Sequence, residues 1–452
     1  MISAGQPTPP DDLSAPPAPT LAQALRFWLR LGCISFGGPA GQIALMHTEL
    51  VERRRWIGEK RFLHALNYCM LLPGPEAQQL ATYIGWLLHR SAGGVAAGVL
   101  FVLPSLFILV GLSWVYVSFG NTPLVAGLFY GIKPAVTAIV LQAAWRIGSR
   151  SLRNTLLRAI AVAAFLAIFI LHLPFPAIVL GAAMLGVAGA RLAPGMFTGG
   201  GHGASAASYG AAVIDDDTPL AEHTRFHRGR LAVVLAAGAA AWLLPMGMLT
   251  ASFGWQHIYS QMGWFFTKAA LLTFGGAYAV LPYVYQGAVL QFGWLGATQM
   301  IDGLALGETT PGPLIMVVAF VAFVGAWGAL PFGAGHAFEG AALAAVLVTW
   351  FTFLPSFVFI LAGAPLVEST HGKLQFSAPL SAITAAVVGV VVNLALFFAW
   401  HVLWPQGFDG GFEWPAAALA VASALALLRW KRGVVEVLAA CALSGLLVSM
   451  LR

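Results

Sequence analysis

Apolar stretches separated by short polar breaks fill most of the chain, at about 21–46, 62–89, 93–118, 122–146, 156–173, 175–193, 231–250, 257–281, 301–328, 338–364, 378–401, 413–429 and 433–450. Most are long enough to cross a hydrocarbon core of about 30 Å as helices. None shows the short alternation of a barrel strand. The order is six stretches, one, then six. Six crossings return the chain to its starting side, and a seventh sends the last six in from the opposite face.

The two sets of six are copies. Phe36-Gly37-Gly38 and Pro73-Gly74-Pro75 recur as Phe274-Gly275-Gly276 and Pro311-Gly312-Pro313, and the same offset relates Phe27 to Phe265, Arg30 to Lys268, Ser35 to Thr273, Trp56 to Trp294, Gly58 to Gly296 and Leu66 to Leu304. Paired Gly/Pro interruptions at corresponding places in two apolar halves mark a transporter whose binding site is built from broken helices. The predicted fold is therefore an all-α polytopic membrane protein of two inverted-topology repeats, with interrupted or re-entrant helices at the Gly/Pro breaks. Its segments are a disordered N-terminal tail (1–20), a first repeat (21–193), a cytoplasmic linker (194–230), a linking transmembrane helix (231–250) and a second repeat (257–450).

Composition agrees. Of 452 residues 59% are hydrophobic and 9% charged, with a mean hydropathy of +0.82, whereas soluble domains carry about 25% charged residues. The net charge of +6 does not point to nucleic acid, because Lys and Arg gather in a few loops and report orientation instead. Cys33, Cys69 and Cys441 form neither a disulfide framework nor a metal cluster. His202, His223 and His227 lack metal spacing in a linker of solvated composition, and residues 1–20 lack the basic start of a signal peptide.

With the N-terminus inside, the positive-inside rule accounts for Arg146, Arg150, Arg153 and Arg158, for Arg191, Arg225, Arg228 and Arg230, and for Arg429, Lys431 and Arg432. The loop 47–61, with Arg53, Arg54, Arg55, Lys60 and Arg61, dissents if 21–46 crosses fully. It agrees if 21–46 and 62–89 are each re-entrant hairpins turning at their breaks; full but kinked helices are the alternative. Such irregular backbone is tolerated at depth only inside protein or along a cavity. The loop itself reads as an interfacial amphipathic helix on anionic headgroups, or as a funnel for anions.

In Pro73-Gly74-Pro75 the first proline ends a helix, the glycine takes unusual backbone angles and the second proline starts a new helix. Gly38-Pro39 and Gly312-Pro313 repeat the device, although Gly276 is followed by Ala277. Fresh helix N-termini at membrane depth offer unpaired N–H groups and a positive dipole end, which suits an anion. Arg30 and Lys268, each six residues before its Phe-Gly-Gly, are candidate cations for a dianion, with Lys133 weaker; snorkelling is the plain alternative. Glu76 and Glu308 are not repeat equivalents, and a carboxyl at membrane depth can carry a proton, so both are coupling candidates. Gln78, Gln79, Thr309 and Thr310 add hydrogen-bonding capacity nearby.

Phe36-Gly37-Gly38-Pro39, Leu72-Pro73-Gly74-Pro75-Glu76-Ala77, Gln79-Leu80-Ala81 and Gly307-Glu308-Thr309-Thr310-Pro311-Gly312-Pro313 closely resemble the chromate ion transporter family, in its long two-domain form. The resemblance runs from about 21 to 450. It implies chromate efflux across a prokaryotic inner membrane and chromate resistance, with sulfate as the related oxyanion. On that reading Gly37, Gly38, Gly74, Gly275, Gly276 and Gly312 give backbone approach, Ser35 and Thr273 hydroxyl contacts, Arg30 and Lys268 charge, and Pro39, Pro73, Pro75, Pro311 and Pro313 the breaks. No cofactor is implied, the partners are the ion and the bilayer, and homo-oligomers stay open.

A secondary active exporter is the leading expectation, coupled to protons or to anion exchange. A sulfate or other oxyanion transporter, or a passive anion channel, is the alternative. An enzyme is not expected: no Walker motif, His-Glu-x-x-His or tight Ser/His/Asp grouping occurs. The hairpin reading has a direct test. A thiol reagent added outside intact cells should leave Arg54→Cys unlabelled, and labelling would restore full crossing.

Overall fold

Hydropathy and Gly/Pro placement translate into helices whose ends fall close to the expected breaks. The computed structural model describes residues 15–36, 38–120, 122–192, 209–215, 218, 221–274, 276–370 and 377–451. In the first half they form α1 (Leu21–Ile34), α2 (Gly38–His47), α3 (Glu59–Leu71), α4 (Glu76–Phe119), α5 (Pro123–Ser151), α6 (Thr155–Phe169) and α7 (Phe175–Leu192). Helix α8 (Arg228–Phe253) leads to α9 (Ile258–Leu271), α10 (Ala277–Tyr285), α11 (Ala297–Thr309), α12 (Val317–Ala329), α13 (Ala337–Thr370), α14 (Ser377–Leu403), α15 (Trp414–Leu428) and α16 (Val434–Leu451). Among the described residues six helices are long and apolar enough to cross a membrane, and the protein is a multi-pass membrane protein. Phe107, Trp145, Met184 and Leu244 face outward, as lipid-facing side chains do.

Helix α1, at about 1.5 Å per residue, is too short to cross. It stops at Ile34, and the chain turns back. Phe27 in α1 meets Trp56, beyond α2, with ring centroids 5.1 Å apart, and the Arg54 guanidinium lies 4.9 Å from the Phe27 ring. The equivalent pair, Phe265 and Trp294, meets at 5.5 Å in the second half. A straight passage through the break would carry these partners apart.

The next break also reverses the chain. Arg61, near the start of α3, and Tyr83, in α4, hold the same carboxylate, Glu368, at 2.6 and 2.5 Å. Helix α4 reverses once more at His89 and Arg90, the latter at φ +58°. Beyond it Gly93 and Gly94 pack on Gly85 and Trp86, and Gly98 on Thr82 and Gln78, so the arm 76–88 lies antiparallel to the arm 91–119. In the second half α12, the turn 330–336 and α13 do the same in three pieces.

The basic loop and the linker share one side. Val213 N–H donates to Arg55 O at 2.9 Å, Ile214 N–H to Trp56 O at 3.2 Å, and Gly58 N–H to Ile214 O at 2.9 Å. The kink at His89 touches Pro19 O at 2.9 Å, and His223 touches Trp86 O at 3.1 Å. The dissenting arginines thus sit with the N-terminal tail and the linker.

Two expectations change here. The segment 47–61 is not a separate interfacial helix: α2 runs into a π-helical turn at Thr48–Arg53, and the loop's charges pair internally. Arg53 and Arg54 reach Glu49 at 2.7 and 3.4 Å, and His47 reaches Glu52 and Glu59 at 3.0 and 2.5 Å. Nor is the linker wholly solvated, since 209–215 docks on that loop; His202 and the triad Gly199-Gly200-Gly201 lie outside the described residues.

The halves also exchange helices. α5 packs against α15 and α16, while α14 packs against α6 and α7. Glycine permits the closest approach: Gly131 of α5 and Gly445 of α16 face each other, and a Cβ on Gly131 would overlap the Cys441 carbonyl oxygen. Helix α8 takes little part, with only Met246 and Leu249 of its residues buried. Gly131→Val should therefore cost about 1–3 kcal/mol, as overpacking of a close contact does, and lower the melting temperature of purified protein. Gly111→Val, where a Cβ meets nothing within 4 Å, should leave it unchanged.

Candidate functional site

The breaks meet in pairs, each pair drawn from both halves. Gly74 N–H donates to Thr273 O at 2.7 Å, and Gly312 N–H donates to Ser35 O at 2.8 Å. Both bonds are the same bond in repeat terms, since Gly74 matches Gly312 and Thr273 matches Ser35. Gly74 at φ +126° and Gly312 at φ +104° hold conformations that side chains oppose. At the Gly312–Ser35 junction Gln42 Nε2 donates to Gly312 O at 2.5 Å and to Ser35 O at 3.3 Å. At the Gly74–Thr273 junction Gln79 Nε2 donates to Pro73 O at 2.8 Å and to Ser356 Oγ at 3.3 Å.

The predicted glycines divide into two kinds. Gly74 and Gly312 are packed tight: a Cβ on Gly74 would overlap Ser356 Oγ, and one on Gly312 would lie 2.6 Å from Ser105 Cβ. Gly38 and Gly276 face open space, where a Cβ meets nothing within 4 Å at Gly38 and only Glu76 Oε1, at 3.9 Å, at Gly276. Gly37 and Gly275 lie outside the described residues. Pro39 is in the first turn of α2, Pro75 caps α4, Pro313 caps the short turn 314–316 that leads into α12, and Pro73 and Pro311 follow the ends of α3 and α11.

Ser35 and Thr273 contribute carbonyls rather than hydroxyls. Their hydroxyls donate to Leu31 O at 2.6 Å and Ala269 O at 2.7 Å, the usual back-bond of a membrane helix. Thr309 and Thr310 likewise bond their own turn. Arg30 lies on the exposed side of α1, opposite Ala24, Phe27, Trp28 and Leu31. Lys268 Nζ lies over the half-exposed Trp264 ring at 5.7 Å. Among the described residues neither cation touches a junction.

Glu76 opens α4 beside Gly276. Glu308 is buried, accepts a hydrogen bond from Tyr278 Oη, and feels the charge of Arg146. Lys133 serves a different partner than expected: its Nζ lies 3.6 Å from Oδ1 of the buried Asp302, whose Oδ2 accepts from Tyr116 Oη at 2.8 Å. The sequence reading missed Asp302 and Glu368. An acid inside or at the end of an apolar run was the signal for both.

Several buried polar atoms around the breaks have no partner among the described residues: Oε1 of Gln42, Gln78 and Gln79, and Oγ of Ser105. The junctions therefore hold bonding capacity that the fold leaves unused.

Comparison with known proteins places this arrangement. A sequence profile described as Chromate transporter matches residues 22–187 and 260–446, which are the two halves. A chromate transport protein of Cupriavidus metallidurans is 31% identical over 432 residues, covering 94% of each chain. One from Pseudomonas aeruginosa is 32% identical over 450 residues, 96% of this chain and 94% of the relative. An uncharacterised transporter of Bacillus subtilis is 29% identical over 126 residues, 28% of this chain and 64% of its own. No solved structure matches. Both halves match the same profile and the long relatives align nearly end to end, so the chain belongs to the chromate transporter family.

Proposed function

We propose that this protein is a secondary active transporter that exports chromate across the inner membrane of a prokaryote. The observation that carries the reading is the reciprocal pair of bonds, Gly74 to Thr273 and Gly312 to Ser35, which ties helix breaks from both halves at membrane depth. Interrupted helices at a repeat interface are where such transporters bind their substrates. The long relatives, named chromate transport proteins, supply the ion. Chromate is a tetrahedral dianion, and helix N-termini bind such groups without a buried formal charge.

The open faces of Gly38 and Gly276 favour the starts of α2 and α10 as the anion's backbone contacts. Gly74 and Gly312 hold the facing breaks through their bonds to Thr273 and Ser35, and Gly37 and Gly275 remain candidates for backbone approach. Ser35 and Thr273 hold the breaks through their carbonyls, and Arg30 and Lys268 supply positive charge on the way in. Glu76, beside Gly276, and Glu308 are the proton-coupling candidates.

Inverted topology for the repeats belongs to the same proposal. α1 begins beside His89 on the linker side, whereas α9 begins beyond the far end of α8, where Phe253 packs on Phe332 at 6.2 Å. Opposed entry lets the two halves exchange exposure of one central site.

Inverted membrane vesicles test the function. Labelled chromate should enter saturably, respond to an imposed pH gradient, and show counterflow when chromate or sulfate is loaded inside. Linear flux without counterflow would replace the transporter by an anion channel, and sulfate uptake without chromate uptake would change the substrate. Arg30→Gln should reduce chromate flux; unchanged flux would remove Arg30 from the site.

A further inference from the structure

A third repeated motif lies in the long helices beside the junctions. Leu103-Pro104-Ser105 in the arm 91–119 recurs as Leu354-Pro355-Ser356 in α13. Each proline sits inside its helix and leaves the carbonyl four residues back without its usual N–H. Each serine is buried and rests against the glycine of the other half's Pro-Gly-Pro. A Cβ on Gly312 would lie 3.1 Å from Ser105 Oγ, and one on Gly74 would overlap Ser356 Oγ. The relation is reciprocal, like the backbone bonds it adjoins.

Hydroxyls buried in helices of this protein mostly donate back to their own turn. Ser35, Thr82, Thr267, Thr273, Thr349 and Ser423 reach the carbonyl four residues earlier at 2.6–2.9 Å. Ser105 and Ser356 do not. Ser105 Oγ has no partner among the described residues, and Ser356 Oγ accepts from Gln79 Nε2 at 3.3 Å while its own hydrogen finds no acceptor there. A buried hydroxyl left unpaired is costly, so a pair kept at equivalent places points to a guest that accepts hydrogen bonds.

We propose that Ser105 and Ser356 donate their hydroxyl hydrogens to the transported oxyanion, one from each half, and so set its affinity. The proposal rests on the transporter reading and adds two contacts outside the Phe-Gly-Gly and Pro-Gly-Pro motifs. A tetrahedral oxyanion has oxygens on every side, so donors from opposed helices can serve it at once.

Chromate uptake into inverted vesicles is measured for Ser105→Ala, Ser356→Ala and the double variant, with Ser423→Ala as control, at matched protein levels. Each single change should raise KM about tenfold, the scale of one hydrogen bond to a charged group, with Vmax within about twofold and the double variant weaker still. Ser423→Ala should match the unsubstituted protein. A lowered Vmax at unchanged KM would show that the serines only support packing, and unchanged kinetics would equally overturn the proposal. If an alanine variant does not accumulate, Ser105→Cys and Ser356→Cys keep the volume, lose the strong donor and are read the same way. Absence of saturable oxyanion uptake in the unsubstituted protein would sink the transporter reading itself, and this proposal with it. Chromate-induced thermal stabilisation of the purified protein reads binding apart from flux; it should be present in the unsubstituted chain and reduced in both serine variants.

Discussion

Every backbone group at membrane depth needs a partner, and this chain breaks its helices where water cannot supply one. The breaks of each half are closed by the other half: Gly74 N–H meets Thr273 O, and Gly312 N–H meets Ser35 O. Much else follows from that exchange. Short helices such as α1 and α2 can end inside the protein because their ends are used. The hairpins they form keep the arginine-rich loop 47–61 on the linker side, where Arg55 and Trp56 bond Val213 and Ile214. A single half could not satisfy its own breaks in this way, which gives a physical reason for one chain to carry the unit twice.

The main outline was legible because it rests on local signals. Gly and Pro mark where a helix must stop, and the 238-residue recurrence marked those stops as paired. The structure adds that the same offset relates the π-turns Thr48–Arg53 and Gln286–Gln291 and the helices α3 and α11. It relates even the positive-φ residues Arg55 and Gly293. Beyond α11 the register slips, since the tight reversal at His89 and Arg90 is replaced by the longer turn 330–336. A search at one constant offset therefore loses Leu-Pro-Ser, which is displaced with its helix. Further on, α6 and α15 have 15 residues each and α7 and α16 have 18 each, with no shared motif to betray them. Lipid-facing helices need only be apolar, so length outlasts identity.

The site was less legible, because its polar chemistry is paired across the whole chain. Arg61 and Glu368 are 307 residues apart, and nothing near either residue announces the other. Residue type suggested that Ser35 and Thr273 would offer hydroxyls. In a helix that has just lost its last partners, however, the hydroxyl is drawn to the carbonyl four residues back, and the free carbonyl becomes the useful group. Lys133 looked available for a dianion because a lone cation in an apolar stretch implies a counter-charge; the counter-charge is Asp302.

The scaffold is symmetric and its chemistry is not. On the linker side α3, through Arg61, and the arm 76–88, through Tyr83, are fastened to Glu368 of α13. The equivalent helices of the opposite halves, α11 and the arm 91–119, are fastened through Asp302 and Tyr116, with Lys133 standing off at 3.6 Å. The first link joins an arginine to a carboxylate and adds Arg61 bonds to the carbonyls of Asp215 and Thr218, at 3.1 and 3.3 Å. The second leaves Asp302 Oδ1 without a hydrogen bond among the described residues. A buried ion pair with its donors satisfied resists separation more than one that is partly unmet. Two structurally equivalent joints are thus held by unequal pairing, an asymmetry that a pair of identical halves could not provide.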